Sequence, residues 1–320
     1  MTQGGRRPTR SEPKASEGGP PLRIGAIFPT TEIGSDPSAV RDWAQAAEEL
    51  GYDHVIIYDH VLGAVHEGRE PKLLGPYTER DAFHEPFVLL AYLAALTQRI
   101  ELTTGVLILP QRQTALVAKQ AIELDLLSRG RLRLGVGTGW NHVEYDSLGV
   151  PFADRGARLD EQVDLLRKLW SDPVITYRGK YHTIDRAGLL PQPARRIPIW
   201  FGGFTPVALR RAARSGDGFL FGTSPSRMLG LFGQLREQLA KAGRANADFG
   251  VEAVVDFSDP HDSWAGEIER WRAAGGTHVS LRAMDTGSQR VGAKHVGYRG
   301  PRDYVDALET FWREVGGAAR

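Results

Sequence analysis

The segments LRIGAIF (22–28), DPSAVRDWAQAAEELG (36–51) and HVIIY (54–58) decide the fold. The two outer segments are short apolar runs, typical of buried strands. Apolar residues of the middle segment recur at steps of three and four, as on one helix face: Val40, Trp43, Ala47 and Leu50. Gly51 stands where a left-handed cap ends such a helix. The sequence therefore predicts a strand–helix–strand unit.

This alternation continues along the chain. Further strands are predicted at 100–109, 131–137, 197–201, 218–221, 251–257 and 277–281. Helix starts are marked by proline, whose missing N–H costs nothing in a first turn, at Asp36-Pro37, Glu85-Pro86, Thr205-Pro206, Ser224-Pro225 and Gly300-Pro301. Eight strands, each followed by a helix, predict a (β/α)8 TIM-type barrel, with an open doubly wound sheet as the alternative.

Composition excludes several classes of function. The 320 residues have a formal net charge of +1 and no cysteine. Disulfides, thiolate catalysis and cysteine-ligated metals are therefore excluded, and neither nucleic-acid binding nor a membrane span is expected. Residues 1–21 lack large apolar side chains after Met1 and predict a disordered tail before a single barrel domain, 22–320. No apolar run follows Arg6-Arg7, so we expect a cytoplasmic protein.

Two segments are longer than ordinary connections between elements. The first, 59–85, is an insertion after the second strand, and loops there lie at the C-terminal mouth of a barrel. It should wall the active site. The second, 171–196, precedes the fifth strand and contains VITYRGKYHTI, which predicts a hairpin turning at Arg178-Gly179-Lys180.

An acid and an imidazole leave the second strand together, at Asp59 and His60. Histidine exchanges protons near neutral pH, and a neighbouring carboxylate can fix its tautomer. This pair is therefore a catalytic candidate. The alternative is a loop aspartate that caps a turn beside an exposed histidine.

Glycine-rich strand ends offer sites for a ligand. LGVGTGWN (134–141) and WFGGFTP (200–206) place glycines where backbone can approach a ring or an anion, and the second run leads into a helix start. Gly105 interrupts a β-branched strand, which indicates a bulge or a ligand close to the backbone. Each also fits an ordinary tight turn. None of the nine histidines has metal-binding spacing, and the G-x-S-x-G of hydrolases is absent.

Six motifs in order resemble the luciferase-like monooxygenase superfamily, most closely its coenzyme F420-dependent oxidoreductases. They are Tyr58-Asp59-His60, Thr104-Gly105-Val106, Gly135-Val136-Gly137-Thr138-Gly139-Trp140 with Glu144, Arg155 and Glu161, Pro198-Ile199-Trp200-Phe201-Gly202-Gly203, and Gly216-Asp217-Gly218. The resemblance covers residues 22–282. It implies a (β/α)8 barrel, often a homodimer, that holds a flavin or deazaflavin at its C-terminal mouth.

The resemblance also implies roles for individual residues. Gly105 and Val106 match a non-prolyl cis peptide that supports the back of the cofactor ring. Asp59 and His60 match the pair beside its reactive face. The cofactor-binding candidates are Gly105, Val106, Thr138, Gly139, Trp140, Asn141, Gly202, Gly203 and Phe204, with Gly202-Gly203 matching the amides that hold a phosphate. Related sugar-phosphate dehydrogenases have glutamate in place of Trp140 and tryptophan in place of Ala64, so sugar-phosphate oxidation is not expected.

The resulting hypothesis is hydride transfer between bound coenzyme F420 and a small organic substrate, with His60 as proton donor or acceptor oriented by Asp59. The alternative is an FMN-dependent monooxygenase that inserts one oxygen atom into its substrate. A third hypothesis is a barrel that binds the cofactor without catalysis. The Asp59-His60 pair and the GVGTGW run (135–140) favour F420 over FMN.

Overall fold

The computed structural model of the protein describes residues 21–245, 247–287 and 293–316. The strands are β1 (Arg23–Ile27), β2 (His54–Ile57), β3 (Glu101–Thr104), β4 (Leu107–Ile108), β5 (Leu132–Gly137), β6 (Ile175–Arg178), β7 (Thr183–Ala187), β8 (Ile199–Gly202), β9 (Gly218–Leu220), β10 (Gly250–Asp256) and β11 (His278–Arg282). The α-helices are α1 (Pro37–Leu50), α2 (Pro86–Leu96), α3 (Thr114–Leu127), α4 (His142–Ser147), α5 (Arg155–Ser171), α6 (Pro206–Ser215), α7 (Pro225–Lys241), α8 (His261–Ala273) and α9 (Pro301–Val315).

Eight parallel strands close into a barrel. Neighbours pair in the order β1, β2, β3, β5, β8, β9, β10 and β11, and β11 pairs again with β1. Helices lie outside, and most of the apolar core packs between them and the strands. The predicted TIM-type barrel is therefore confirmed, and the open doubly wound sheet is wrong.

The predicted helix starts are confirmed at all five prolines. Three of the preceding residues cap their helices with a side-chain oxygen: Asp36, Glu85 and Thr205 accept hydrogen bonds from the N–H groups of Ser38, Val88 and Ala208. The left-handed cap at Gly51 is also present, with φ of 102°.

The strand predicted over 100–109 is divided in the structure. β3 ends at Thr104, and β4 resumes at Leu107 before one turn of 3₁₀-helix (Leu109–Gln111). The interruption falls on Gly105 and Val106, whose peptide bond is cis. A bulge at this glycine was one of the two interpretations that the sequence left open.

Residues at alternate strand positions form layers inside the barrel. The layer nearest the N-terminal ends of the strands is charged. There Glu252 of β10 accepts a hydrogen bond from His54 of β2 at 2.6 Å and pairs with Arg133 of β5 at 3.0 Å. All three are buried. Apolar side chains fill the middle layer, among them Trp200 and Leu220. Sequence reasoning missed the charged layer, although its residues interrupt the apolar strands.

The second insertion contains the predicted hairpin, formed by antiparallel β6 and β7. Glu161 of α5 fixes its turn by accepting from the N–H groups of residues 180–182. The first insertion has no helix or strand between Asp59 and Glu85. The predicted tail lies outside the described residues except for Pro21, and the division into a tail and one domain stays a prediction. No described helix has the length and apolarity needed to cross a membrane.

Candidate active site at the C-terminal mouth

His60 lies just beyond the C-terminal end of β2, and its side chain is 9% exposed. Its Nδ1 is 3.1 Å from Oε2 of Glu144, which belongs to the short helix α4 after β5. Among the described residues, Nε2 of His60 has no hydrogen-bond partner. The structure therefore brings together a histidine and a glutamate from two strand ends, with one imidazole nitrogen held and the other available.

Glu144 is held by three donors in addition to the His60 ring. Its Oε1 accepts from the N–H groups of Val61 and Leu62, and its Oε2 also accepts from Nε2 of Gln111 at 3.0 Å. Burial alone would raise the pKa of Glu144, but the hydrogen bonds from His60, Gln111 and Val61 lower it below the usual range. The group is a carboxylate at neutral pH. A carboxylate accepts only, so Nδ1 of His60 must donate.

Asp59 does not orient His60, which corrects the mechanism expected from the sequence. Its side chain is fully buried and faces Arg112, with Nη2 to Oδ1 at 2.7 Å, while Oδ2 accepts from the N–H of Ile108 at 2.8 Å. Arg112 also contacts Glu85 at 2.8 Å. Adjacent residues of an extended chain point to opposite sides. Asp59 therefore anchors the end of β2 to Arg112 and Ile108, while His60 faces the mouth.

Aromatic side chains surround the imidazole of His60. Its ring centroid lies 5.3 Å from Tyr77, 5.0 Å from Phe83 and 5.4 Å from Trp140. Tyr77 and Phe83 belong to the first insertion, and Gly75 of that insertion packs on Trp140, since a β-carbon there would lie 1.9 Å from the indole. The insertion therefore lines the candidate site with aromatic rings.

The interior positions at the mouth ends of β5 and β8 are glycines, Gly137 and Gly202. A β-carbon on either would come within 2.7 Å of the Val106 side chain, at 2.5 and 2.7 Å respectively. Val106 thus occupies the floor between these strand ends, directly after the cis peptide. This cradle exists only because the two strands end in glycine, and it fits a flat ring resting on Val106.

The Gly202-Gly203 corner is open rather than packed shut. Both glycines are half-buried, and Gly203 has a φ of 141° that disfavours side chains. Phe204 is 58% exposed, and its ring packs against Gly222, two residues beyond β9. The next residue, Thr223, carries a buried Oγ1 with no partner among the described residues. This hydroxyl, two residues before the start of α7, can donate to a phosphate oxygen.

The remaining predicted cofactor residues lie between these parts. Thr138 and Gly139 are half-buried after β5, and the carbonyl of Thr138 accepts from the Tyr145 hydroxyl at 2.7 Å. Asn141 is 2% exposed, caps α4 and donates to the carbonyl of Leu62 at 3.1 Å. Its side chain therefore supports Glu144 and the insertion, and leaves little to offer a ligand.

Sequence reasoning missed a second ion pair at the mouth. Arg282 at the end of β11 holds Asp256 at the end of β10 through two contacts of 2.7 Å, and both side chains are at most 8% exposed. Such a bidentate pair satisfies both charges locally. The signal available in the sequence was a charged residue closing each of two apolar strands.

Comparison with known proteins agrees with this architecture. The family model described as luciferase-like monooxygenase matches residues 20–313. An F420-dependent glucose-6-phosphate dehydrogenase of Nakamurella multipartita is 33% identical over 262 residues, which cover 79% of this chain and 73% of that protein. An uncharacterised protein of Mycobacterium tuberculosis is 38% identical over 210 residues, covering 62% of this chain and 71% of that protein.

Solved structures show the same fold at low identity. An F420-dependent secondary alcohol dehydrogenase in complex with an F420-acetone adduct superposes with a TM-score of 0.72 at 20% identity, covering 94% of this chain and 99% of that one. A monooxygenase from Streptomyces bottropensis gives 0.71 at 19% identity, covering 93% and 100%. The family resemblance read from the motifs is confirmed: the chain belongs to the luciferase-like monooxygenase family and is an oxidoreductase.

Proposed function

We propose that the protein transfers a hydride between coenzyme F420 and a small organic substrate, with His60 exchanging the accompanying proton. The observation that carries this proposal is the His60–Glu144 pair at the mouth, beside a cradle whose floor is Val106. The names of relatives that are about one third identical support the choice of a deazaflavin. The cytoplasmic location expected from the sequence is part of the proposal.

The residues of the mouth fit the cofactor in two places. The glycine cradle over Gly105 and Val106, flanked by Thr138, Gly139 and Trp140, would hold the ring. The Gly202–Phe204 corner, with Thr223, would hold the phosphate. When bound, the deazaflavin supplies two-electron hydride chemistry at a carbon atom.

The chain itself handles the proton. Because Glu144 is ionised and accepts the hydrogen bond from Nδ1–H, the neutral form of His60 presents an unprotonated Nε2 that can accept a proton from a substrate hydroxyl. In the opposite direction the protonated ring donates from Nε2. Glu144 is a positioning residue, since it fixes the tautomer and stabilises the charged ring without itself facing the mouth. The aromatic wall around His60 excludes water from this exchange.

Cofactor retention tests the proposal. The protein is incubated separately with F420 and FMN and desalted, and the absorption and fluorescence of the protein fraction are recorded. We expect F420 to be retained. Retention of FMN alone would support the monooxygenase hypothesis instead, and retention of F420 with no turnover of any substrate would support a cofactor-binding barrel.

The His60→Ala variant separates chemistry from binding. We expect turnover to fall by about 100-fold or more, as for loss of a general acid or base, while F420 affinity changes little. His182→Ala is the matched control, because His182 also binds a glutamate through Nδ1 but lies on the hairpin. Unchanged turnover in His60→Ala would remove this residue from the mechanism.

We also propose a homodimer, which the resemblance implies. Exposed apolar side chains on α2 and α3 support it: Val88 is 71% exposed, Tyr92 39% and Leu116 52%. Large apolar groups left in water on neighbouring helices are typical of a subunit interface. Light scattering should give the mass of two chains, and a mass of one chain would contradict the proposal.

A further inference from the structure

We infer that the substrate is an uncharged alcohol, or the carbonyl compound formed from it, with an apolar body. This inference rests on the proposed function, because it names the substrate of the same site. It is drawn from two properties of the mouth: the side chains around His60 are aromatic, and the guanidinium groups at the strand ends are already neutralised.

The aromatic surface lies where a substrate must lie to reach Nε2 of His60. Tyr77, Phe83 and Trp140 all stand within 5.4 Å of the imidazole, measured between ring centroids. They come from two separate parts of the chain, the insertion and the end of β5. Rings grouped around a histidine offer apolar area to a substrate body and no charge. Below them Val106 packs on the apolar middle layer.

The two phenols at this surface, Tyr58 and Tyr77, are neutral. Burial raises the pKa of the Tyr58 phenol although the charge of Arg282 opposes it, and burial likewise raises the pKa of Tyr77. Both phenols therefore keep their protons at all physiological pH values. A neutral hydroxyl can donate to a hydroxyl or carbonyl oxygen, but it cannot balance the charge of a phosphate.

Two arginines of the mouth, Arg282 and Arg112, are not available to a phosphate. Arg282 already donates from Nε and Nη2 to the two oxygens of the Asp256 carboxylate, and Arg112 is paired with Asp59 and Glu85. A phosphorylated substrate would have to displace a buried carboxylate or lie beside it. Both alternatives cost free energy, since separating a buried pair leaves charges unpaired and like charges repel at short range. An uncharged substrate meets neither cost.

The atoms of the reaction balance for this class. In oxidation the carbinol C–H bond breaks and its electron pair leaves with the hydrogen as hydride, which the oxidised deazaflavin accepts. The O–H bond breaks as its proton passes to Nε2 of His60, and the carbonyl double bond forms. The reverse direction reduces the carbonyl compound with the same hydride and the same proton.

A substrate panel tests the inference on the intact protein with F420. Cyclohexanol is compared with glucose 6-phosphate, and cyclohexanone is tested with reduced F420, while the deazaflavin absorbance is followed. We expect turnover of the ring alcohol or ketone, with kcat/KM at least tenfold above that for glucose 6-phosphate. Retention of F420 after desalting is measured in the same samples.

The outcomes distinguish a wrong substrate class from a wrong cofactor. Retained F420 with preferred turnover of glucose 6-phosphate, or with no turnover of cyclohexanol and cyclohexanone, overturns the inference and leaves the cofactor assignment intact. Loss of F420 on desalting overturns the proposed function and with it the inference. Preferred turnover of the ring compounds supports both.

The Asp256→Asn variant gives an independent readout. Removing this carboxylate leaves the guanidinium of Arg282 without its counter-charge, so inorganic phosphate should inhibit the variant at a concentration about tenfold lower than the wild type. Asp217→Asn is the matched control, because Asp217 is likewise ion-paired with arginine but precedes β9 at the opposite end of the barrel. Equal phosphate sensitivity in all three proteins would show that Asp256 does not keep Arg282 from binding phosphate. If Asp256→Asn fails to fold, the substrate panel still decides.

Discussion

Replacing Glu144 with glutamine isolates the contact that holds His60. The carboxylate uses both oxygens as acceptors, with Oε1 toward the N–H groups of Val61 and Leu62 and Oε2 toward Gln111 and His60. An amide has one acceptor oxygen and one NH₂ group. Whichever way it is turned, the NH₂ group of Glu144→Gln must face two of these donors.

The size of the expected fall in kcat follows from the lost hydrogen bond between His60 and Glu144. A hydrogen bond to a charged group contributes about 1.5–3 kcal/mol, and each 1.36 kcal/mol corresponds to about a tenfold change in rate. We therefore expect kcat to fall by about 10- to 150-fold. Because the substituted amide can present a donor to Nδ1, the imidazole would be driven to the tautomer that carries its proton on Nε2. Oxidation, which needs Nε2 as an acceptor, should be impaired more than reduction.

Steady-state kinetics in both directions, with F420 affinity measured separately, check this prediction. Glu161→Gln is the matched control, since Glu161 also accepts from backbone N–H groups and from Nδ1 of a histidine, His182, but on the hairpin. Its kcat should stay at the wild-type value. Wild-type kcat in Glu144→Gln, with F420 affinity unchanged, would refute the positioning role of Glu144.

Two further predictions concern the cradle and the charged layer of the barrel. In Gly202→Ala the new β-carbon would lie 2.7 Å from Val106, so we expect an overpacking cost of about 1–3 kcal/mol and an F420 Kd raised about tenfold, measured by fluorescence titration. Gly233→Ala on α7, where a β-carbon meets open space, is its control, and equal affinities would show that the cradle does not hold the ring. In Glu252→Gln the buried pair with Arg133 is broken, which should lower the free energy of unfolding at neutral pH by about 3–5 kcal/mol in denaturant titrations. Burial opposes ionisation of Glu252, but His54 and Arg133 outweigh burial and lower the pKa of this carboxyl group. The stability that ionised Glu252 contributes is therefore full above about pH 4.3, the unfolded-state pKa, and is lost as the pH falls through the folded-state pKa. Glu252→Gln should lose less stability than the wild type over that acid range, and parallel stability curves would contradict this.

The sequence by itself determined the barrel and most of its boundaries. Apolar runs of strand length alternate with amphipathic segments, and proline or glycine marks the helix ends, so each element carries its own local signal. The glycines at 137 and 202 and the Gly105-Val106 interruption were visible for the same reason. Each is a local departure from a pattern that its neighbours obey.

Only the tertiary structure decided which side chains act together. Asp59 is next to His60 in sequence, yet it faces Arg112, while the partner of His60 is Glu144, from a helix 84 residues further along the chain. The Arg282–Asp256 pair likewise joins the ends of two strands. Hydrogen bonds and ion pairs depend on distances of about 3 Å, and closure of the barrel sets these distances between residues remote in sequence. Periodicity along one strand carries no information about them.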